Sequence, residues 1–160
     1  RQVWNDVSVT NSTFYEFYIS PGVFGAPTAD VPIAAGNKVV ISNCTFYNWG
    51  SNKDGKNTYR AVGNFSKLTT PLNLSVSNCV FGSSKSKVLD AGSINLNSKG
   101  NYCTSDFEKM SDAGLTLISL DTDDASLFRN VEENDFTVVD VESVIYKSEY
   151  GDPRWIKVLD

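Results

Sequence analysis

A chain of 160 residues has the length of one domain and can bury about two-thirds of the surface its unfolded form exposes. Its 14 basic and 19 acidic residues leave a net charge of −5, which argues against nucleic-acid phosphates as a partner. It contains no histidine, which removes Ser-His-Asp and Cys-His nucleophile pairs, histidine zinc ligands and a histidine general base, and it has no apolar run long enough to span a bilayer as a helix.

The opening Arg1-Gln-Val-Trp4 runs almost directly into the first repeat and reads as the start of a mature or excised piece of a longer protein. Val7-Ser-Val-Thr-Asn-Ser-Thr-Phe14 then sets a pattern that returns as Val39-Val-Ile-Ser-Asn-Cys-Thr-Phe46 and Leu74-Ser-Val-Ser-Asn-Cys-Val-Phe81. Each copy has aliphatic residues four and two positions before an Asn, Ser or Thr just before it, Ser or Cys just after it, and Phe three positions on. The alternation predicts a strand with its branched side chains on one face. Asn11, Asn43 and Asn78 predict a corner, because Asn tolerates turn conformations and its amide satisfies interrupted backbone. A second strand follows, in which Cys44 and Phe46 share a face. Such a unit cannot bury its apolar face alone, so copies must stack. The expected fold is all-β: a right-handed parallel β-helix, a single-stranded solenoid of about four coils plus a C-terminal cap. A β-sandwich with matching edge strands is the alternative.

Between the copies, Pro21 to Pro27 breaks the strand pattern, Ala29 to Gly36 reads as loop, and Arg60 to Phe65 as a return strand. Ile94-Asn-Leu96 and Gly100-Asn-Tyr-Cys103 form a fourth, degenerate copy, with Asn101 as its corner and Lys99 in an aliphatic slot; terminal repeats are commonly atypical. Thr104 to Met110 suits one helical turn, and Leu115 to Leu120 suits a strand. Pro153 fixes a turn at Asp152. Trp155 with Ile156, and Trp4 at the other extreme, are expected to plug the ends of the solenoid, where unpaired edges invite association. The whole chain, 1–160, reads as one domain, with coils over 1–110 and a terminal coil and cap over 111–160.

Of the three cysteines, Cys44 and Cys79 occupy the same slot and are expected to stack as small buried residues; stacking does not guarantee disulfide geometry, and Cys103 leaves the count odd. Asn11, Asn43, Asn64 and Asn73 each begin an N-glycosylation pattern, although the first two are accounted for as corners.

The Asn-Cys-x-Phe copies, Asn101-Tyr-Cys-Thr-Ser-Asp106, Phe128-Arg-Asn130 with Asn134-Asp-Phe-Thr137, and Gly151-Asp-Pro-Arg-Trp155 together resemble one group. It is the uncharacterised pectate-lyase-like β-helix domain at the C-terminus of Bacteroidetes cell-surface lipoproteins. The resemblance covers nearly the whole chain and implies a right-handed parallel β-helix, secretion, attachment at the outer-membrane surface and upstream domains in the same protein. It supplies no agreed catalytic residues. In that group a bare coil takes roughly 20 residues or a little more. The spacings of 32 from Asn11 to Asn43 and 35 from Asn43 to Asn78 then imply an insertion in each coil, the second within Trp49 to Tyr59. Insertions at equivalent places gather on one side, often the binding side.

Polysaccharide lyases of this fold hold calcium on clustered carboxylates. The dense carboxylate clusters, Asp121-Thr-Asp-Asp124 and Glu132-Glu133, both lie after the regular coils and without EF-hand spacing, so calcium is only a weak candidate, at Asp121, Asp123 and Asp124, and a solvated acidic loop the simpler reading. The repeat positions carry Ser, Thr, Asn and Cys rather than the paired carboxylates of a glycosidase. The expectation is therefore a non-catalytic extracellular module that binds polysaccharide or another glycan through its inserted loops, with Tyr47, Trp49, Tyr59 and Arg60 as the candidates. Trp49 also fits a core slot. A structural spacer and a calcium-dependent lyase are the alternatives, and an uncovered edge at the first coil predicts edge-to-edge self-association.

Overall fold

The computed structural model describes residues 6–17, 24–25, 36–49, 60–109 and 115–157. Their strands fall into three parallel sheets and one antiparallel pair, and the fold is all-β in its main body. The first sheet holds β1 (Val7–Thr10), β4 (Lys38–Ser42), β7 (Leu72–Ser77) and β10 (Ile94–Lys99) in that order. The second holds β2 (Thr13–Tyr15), β5 (Thr45–Tyr47), β8 (Val80–Phe81), β11 (Tyr102–Cys103) and β13 (Ile118–Ser119). The third holds β3 (Phe24–Gly25), β6 (Arg60–Asn64), β9 (Lys85–Asp90) and β12 (Glu108–Lys109). The chain visits the three sheets in turn and returns to the first one position further along. Each set of three consecutive strands makes one rung.

Register follows the repeat. Val7 pairs with Val39, Val39 with Leu74 and Leu74 with Leu96, while Val9, Ile41, Val76 and Ser98 form a parallel file. These files face inward: Val39, Ile41, Leu74 and Val76 are buried, and the intervening residues are not. Beside them Phe14, Phe46 and Phe81 stack ring on ring, with centroids 5.1 and 5.0 Å apart and planes within 13°. Each such contact adds about 0.5–1.5 kcal/mol beyond area burial.

The corners are left-handed. Asn11, Asn43 and Asn78 have φ of 52°, 50° and 55°, a conformation that costs most L-residues about 1–2 kcal/mol and Asn less. Each donates its N–H to the next rung, at Ser42, Ser77 and Lys99. In rung 4 the residue opposite Asn78 is Gly100, with φ of 63°. Asn101 is therefore not a corner. It occupies the slot of Cys44 and Cys79, 1% exposed; its Oδ1 accepts the Cys79 N–H at 3.1 Å and its Nδ2 donates to Val76 O at 2.8 Å. The shift of one position also moves Lys99 to the outer face, so Leu96 and Ser98 take the inward slots. All three cysteines are buried thiols. Thr104 to Lys109 holds a turn and β12 rather than a helical turn.

The C-terminal third lies against the side of the second sheet. It contains α1 (Asp124–Leu127), the antiparallel pair β14 (Phe128–Asn130) and β15 (Asp135–Val138), α2 (Val144–Ser148), and a 3-10 turn at Pro153–Trp155. Leu127, Phe128, Phe136, Val138 and Ile145 form a second core with Val80 of the sheet's outer face. This layer buries Thr45 and Val80, which point away from the first core.

The last described segment crosses the rungs. Tyr150 stacks on Tyr102 of rung 4 at 5.2 Å, and the Gly151 N–H donates to Asn78 O at the corner of rung 3. The Asp152 N–H donates to Thr45 Oγ1 of rung 2 at 3.0 Å, and Trp155 Nε1 donates to Thr13 Oγ1 of rung 1 at 2.7 Å. Gly151 needs its φ of +87° here, and an added Cβ would meet Thr45 Oγ1 at 2.9 Å. Trp155 is thus not an end plug but the end of a lateral strap, and Ile156 lies in the second core. Pro153 follows an extended Asp152 as the sequence requires. Trp4 lies outside the described residues.

Candidate functional site

The outer face of the first sheet carries the side chains that alternate with the aliphatic files. Across rungs 2 to 4 these are Lys38, Asn73 and Asn95 in one file and Val40, Ser75 and Asn97 in the next. They line a shallow groove of about 600 Å³. The groove's amides form a ladder along the stacking direction: Asn95 Nδ2 donates to Asn73 Oδ1 at 3.0 Å, and Asn73 Nδ2 donates to Gly36 O at 3.3 Å. Lys38 pairs with Asp6 at 3.6 Å, both well exposed, and an ion pair of that kind holds little energy. Among the described residues Asn95 Oδ1 accepts no hydrogen bond, and Ser75 and Asn97 add further donors and acceptors. The arrangement is suited to hydrogen-bonding a polar ligand laid across the rungs. None of these residues was singled out from sequence; the available signal was the run of Ser, Asn and Lys at outward positions of successive copies.

The residues singled out from sequence go to different places. Trp49 is fully buried in the first core, tilted against Phe107 at 5.4 Å and edge-on to Phe81 at 5.8 Å, with Nε1 donating to Lys87 O at 2.9 Å. A sugar cannot stack on it, so its core-slot reading holds. Tyr47 points outward but under the C-terminal layer, edge-on to Phe136 at 5.3 Å. Arg60 pairs with Asp90 in the third sheet, its side chain only 13% exposed, and Lys87 joins the same carboxylate. Burial pushes Asp90 up, but the hydrogen bonds from Lys87 and Arg60 outweigh it and hold it below the usual carboxylate range. Tyr59, with the rest of the second insertion, lies outside the described residues. Tyr15 is 44% exposed, in keeping with its outward position.

The acidic cluster also separates. Asp121 is exposed, and Asp123 is the cap of α1, accepting the Ser126 N–H at 2.8 Å. Asp124 instead is buried and turned toward Asp106, in the turn after β11, whose Oδ1 accepts the Asp124 N–H at 3.3 Å. Among the described residues no three metal-binding side chains of the His, Cys, Asp and Glu type converge. Burial and the Asp106 carboxyl push Asp124 up to about 6. Burial acts the same way on Asp106, yet hydrogen bonding with Asp124 leaves it lowered. Tyr47 stands over the pair, its phenol pushed up to about 12 by burial and by the charges of Asp124, Asp106 and Glu16. Asp106 was not singled out from sequence, because nothing local brings it to Asp124.

No curated protein and no solved structure matches the chain. The family profile that matches runs from the second residue of β4 to the final tryptophan of the strap, spanning rungs 2 to 4 and the lateral layer. Over residues 39–155 the chain belongs to the family described as Domain of unknown function (DUF5123).

Proposed function

We propose that this protein is a non-catalytic glycan-binding module built as a right-handed parallel β-helix, displayed outside the cell as part of a longer surface protein. The observation that supports the binding reading is the Asn73–Asn95 amide ladder on the floor of an open groove. Rungs repeat about every 4.8 Å, so groups in register meet successive hydroxyls of an extended polymer at comparable spacing. Amides and hydroxyls bind such a polymer by hydrogen bonds without demanding charge on it. This moves the binding surface from the inserted loops, where sequence pointed, to the sheet face. The reading of the fold rests on the three parallel sheets visited in rotation and on the stacked Asn and Phe files.

Affinity electrophoresis of the chain in gels containing neutral and acidic polysaccharides tests the function. Retardation by at least one neutral polysaccharide is expected, with an Asn73→Ala/Asn95→Ala double variant running as in a plain gel. Uniform lack of retardation across the panel sinks the binding reading in favour of a structural spacer. Release of unsaturated uronide absorbing in the ultraviolet would favour a lyase instead. Among the described residues β1 pairs only with β4, and edge-to-edge self-association at β1 is part of the same proposal. Sedimentation checks it, since a strictly monomeric species at high concentration counts against it.

A further inference from the structure

Two carboxylates meet where the C-terminal layer rests on rung 4. Asp106 comes from the turn between β11 and β12, and Asp124 from the first position of α1, where it is only 8% exposed. The Asp124 N–H reaches Asp106 Oδ1, and a second backbone bond, Ser105 N–H to Thr122 O at 3.0 Å, fixes the approach. Neither carboxylate has a lysine or arginine partner among the described residues; the other charged or titratable groups facing them are Tyr47 from β5 and, beyond it, Glu16. Asp106 itself is exposed while Asp124 is buried, and like charges held together repel unless something neutralises them.

A second observation comes from Thr104. Its residue is 1% exposed, its Oγ1 lies against the Asp106 carboxylate, and that hydroxyl completes no hydrogen bond of normal geometry. Buried hydroxyls without a partner are rare in folded proteins and call for an unseen water or ion. Here the orphaned oxygen sits beside an unneutralised carboxylate pair.

We propose that Asp106, Asp124 and Thr104 form a divalent-cation site, with calcium as the ion, that clamps the C-terminal layer to rung 4. All three contribute hard oxygen donors, which suit calcium rather than a soft transition metal. Two carboxylates and one hydroxyl leave the remaining positions to carbonyls and water, so affinity falls in the weak range of about 10⁻⁴–10⁻³ M. Tyr47, as a neutral phenol, donates to Asp124 and orients it, the usual task of a group outside the ligand shell. The site is separate from the groove, and its role is to hold the fold together.

Titration calorimetry and thermal melting of the whole chain, first stripped with EDTA, test the site. Calcium at about 10 mM is expected to raise the melting temperature saturably by roughly 4 °C, from the linkage between occupancy and stability. Magnesium, and sodium chloride at matched ionic strength, should give less. Asp106→Asn and Asp124→Asn should abolish the rise, Thr104→Val should weaken it, and Asp121→Asn should leave it unchanged. Removing one of two repelling carboxylates keeps the metal-free protein folded, so the variants stay informative. No heat and no melting shift with calcium in the wild type overturns the site, as does an equal rise in all variants. Stabilisation by acid alone, without a calcium response, assigns the pair to a shared proton and overturns it too.

Discussion

Replacement of Trp49 separates packing from recognition. The indole is fully buried between Phe81 and Phe107, and its Nε1 satisfies the Lys87 carbonyl of the third sheet. Trp49→Ala removes a ring whose loss costs about 3–5 kcal/mol in a packed core. It also strands the Lys87 carbonyl, for about 1–3 kcal/mol more. That sum is comparable to the whole stability of a domain, so the alanine variant is expected to be largely unfolded. Trp49→Phe keeps most of the ring contacts and loses the hydrogen bond and a small volume, about 2 kcal/mol in all. For a chain of this length that lowers the melting temperature by about 4–8 °C. Circular-dichroism melts give the shift, and affinity electrophoresis well below the transition gives binding. The expected outcome is a destabilised Trp49→Phe variant with unchanged retardation. A variant that melts like the wild type but no longer binds glycan would refute the burial argument and restore Trp49 as a sugar platform.

Two further substitutions probe the corners and the strap. Asn78→Gly should be close to neutral, whereas Asn78→Val should cost at least about 2 kcal/mol, since a β-branched residue resists the left-handed region; urea titration distinguishes them. Asp152 is 1% exposed and receives hydrogen bonds from Thr13 Oγ1 and Arg154. Burial raises its pKa, but those partners outweigh burial and leave it depressed. Its contribution is then fully present above about pH 4, the unfolded value, and is lost as pH falls through the lower folded value. Asp152→Asn should cost about 1–3 kcal/mol at neutral pH and flatten the acid limb of a stability curve measured by urea; an unchanged limb would remove Asp152 from the account.

The first core was legible because it repeats. Inward aliphatic files, the Asn corners and the Phe stack each depend on residues within eight positions of one another, and three copies fix the register. The fourth copy misled for a local reason. Asn101 matches the other corner residues in type, but glycine takes a left-handed corner at still lower cost, and Gly100 stands one position earlier. Trp49 carried two readings because its slot follows the repeat while its neighbours look like loop. The strap could not be foreseen: Trp155 meets Thr13 across 142 positions, and no periodicity links them. Asp106 and Asp124 stayed apart in sequence for the same reason, and the groove was overlooked because exposed Ser and Asn are what any solvated strand face offers.

The strap also bears on how this protein unfolds. Stacked repeats that touch only their neighbours behave as a one-dimensional chain, able to fray from either end one unit at a time. Here a segment of six residues, Tyr150 to Trp155, bonds or stacks with all four rungs. Rung 1 cannot peel away without releasing Trp155 and Asp152, and their release loosens Thr45 of rung 2. Loss at one end is thereby communicated to the other, and a potentially graded transition becomes all-or-none. The same contacts join the most distant parts of the sequence, so loop-closure entropy delays them until the rungs are in place. Refolding should therefore end with a slow locking step, in which the strap seals a stack that has already formed.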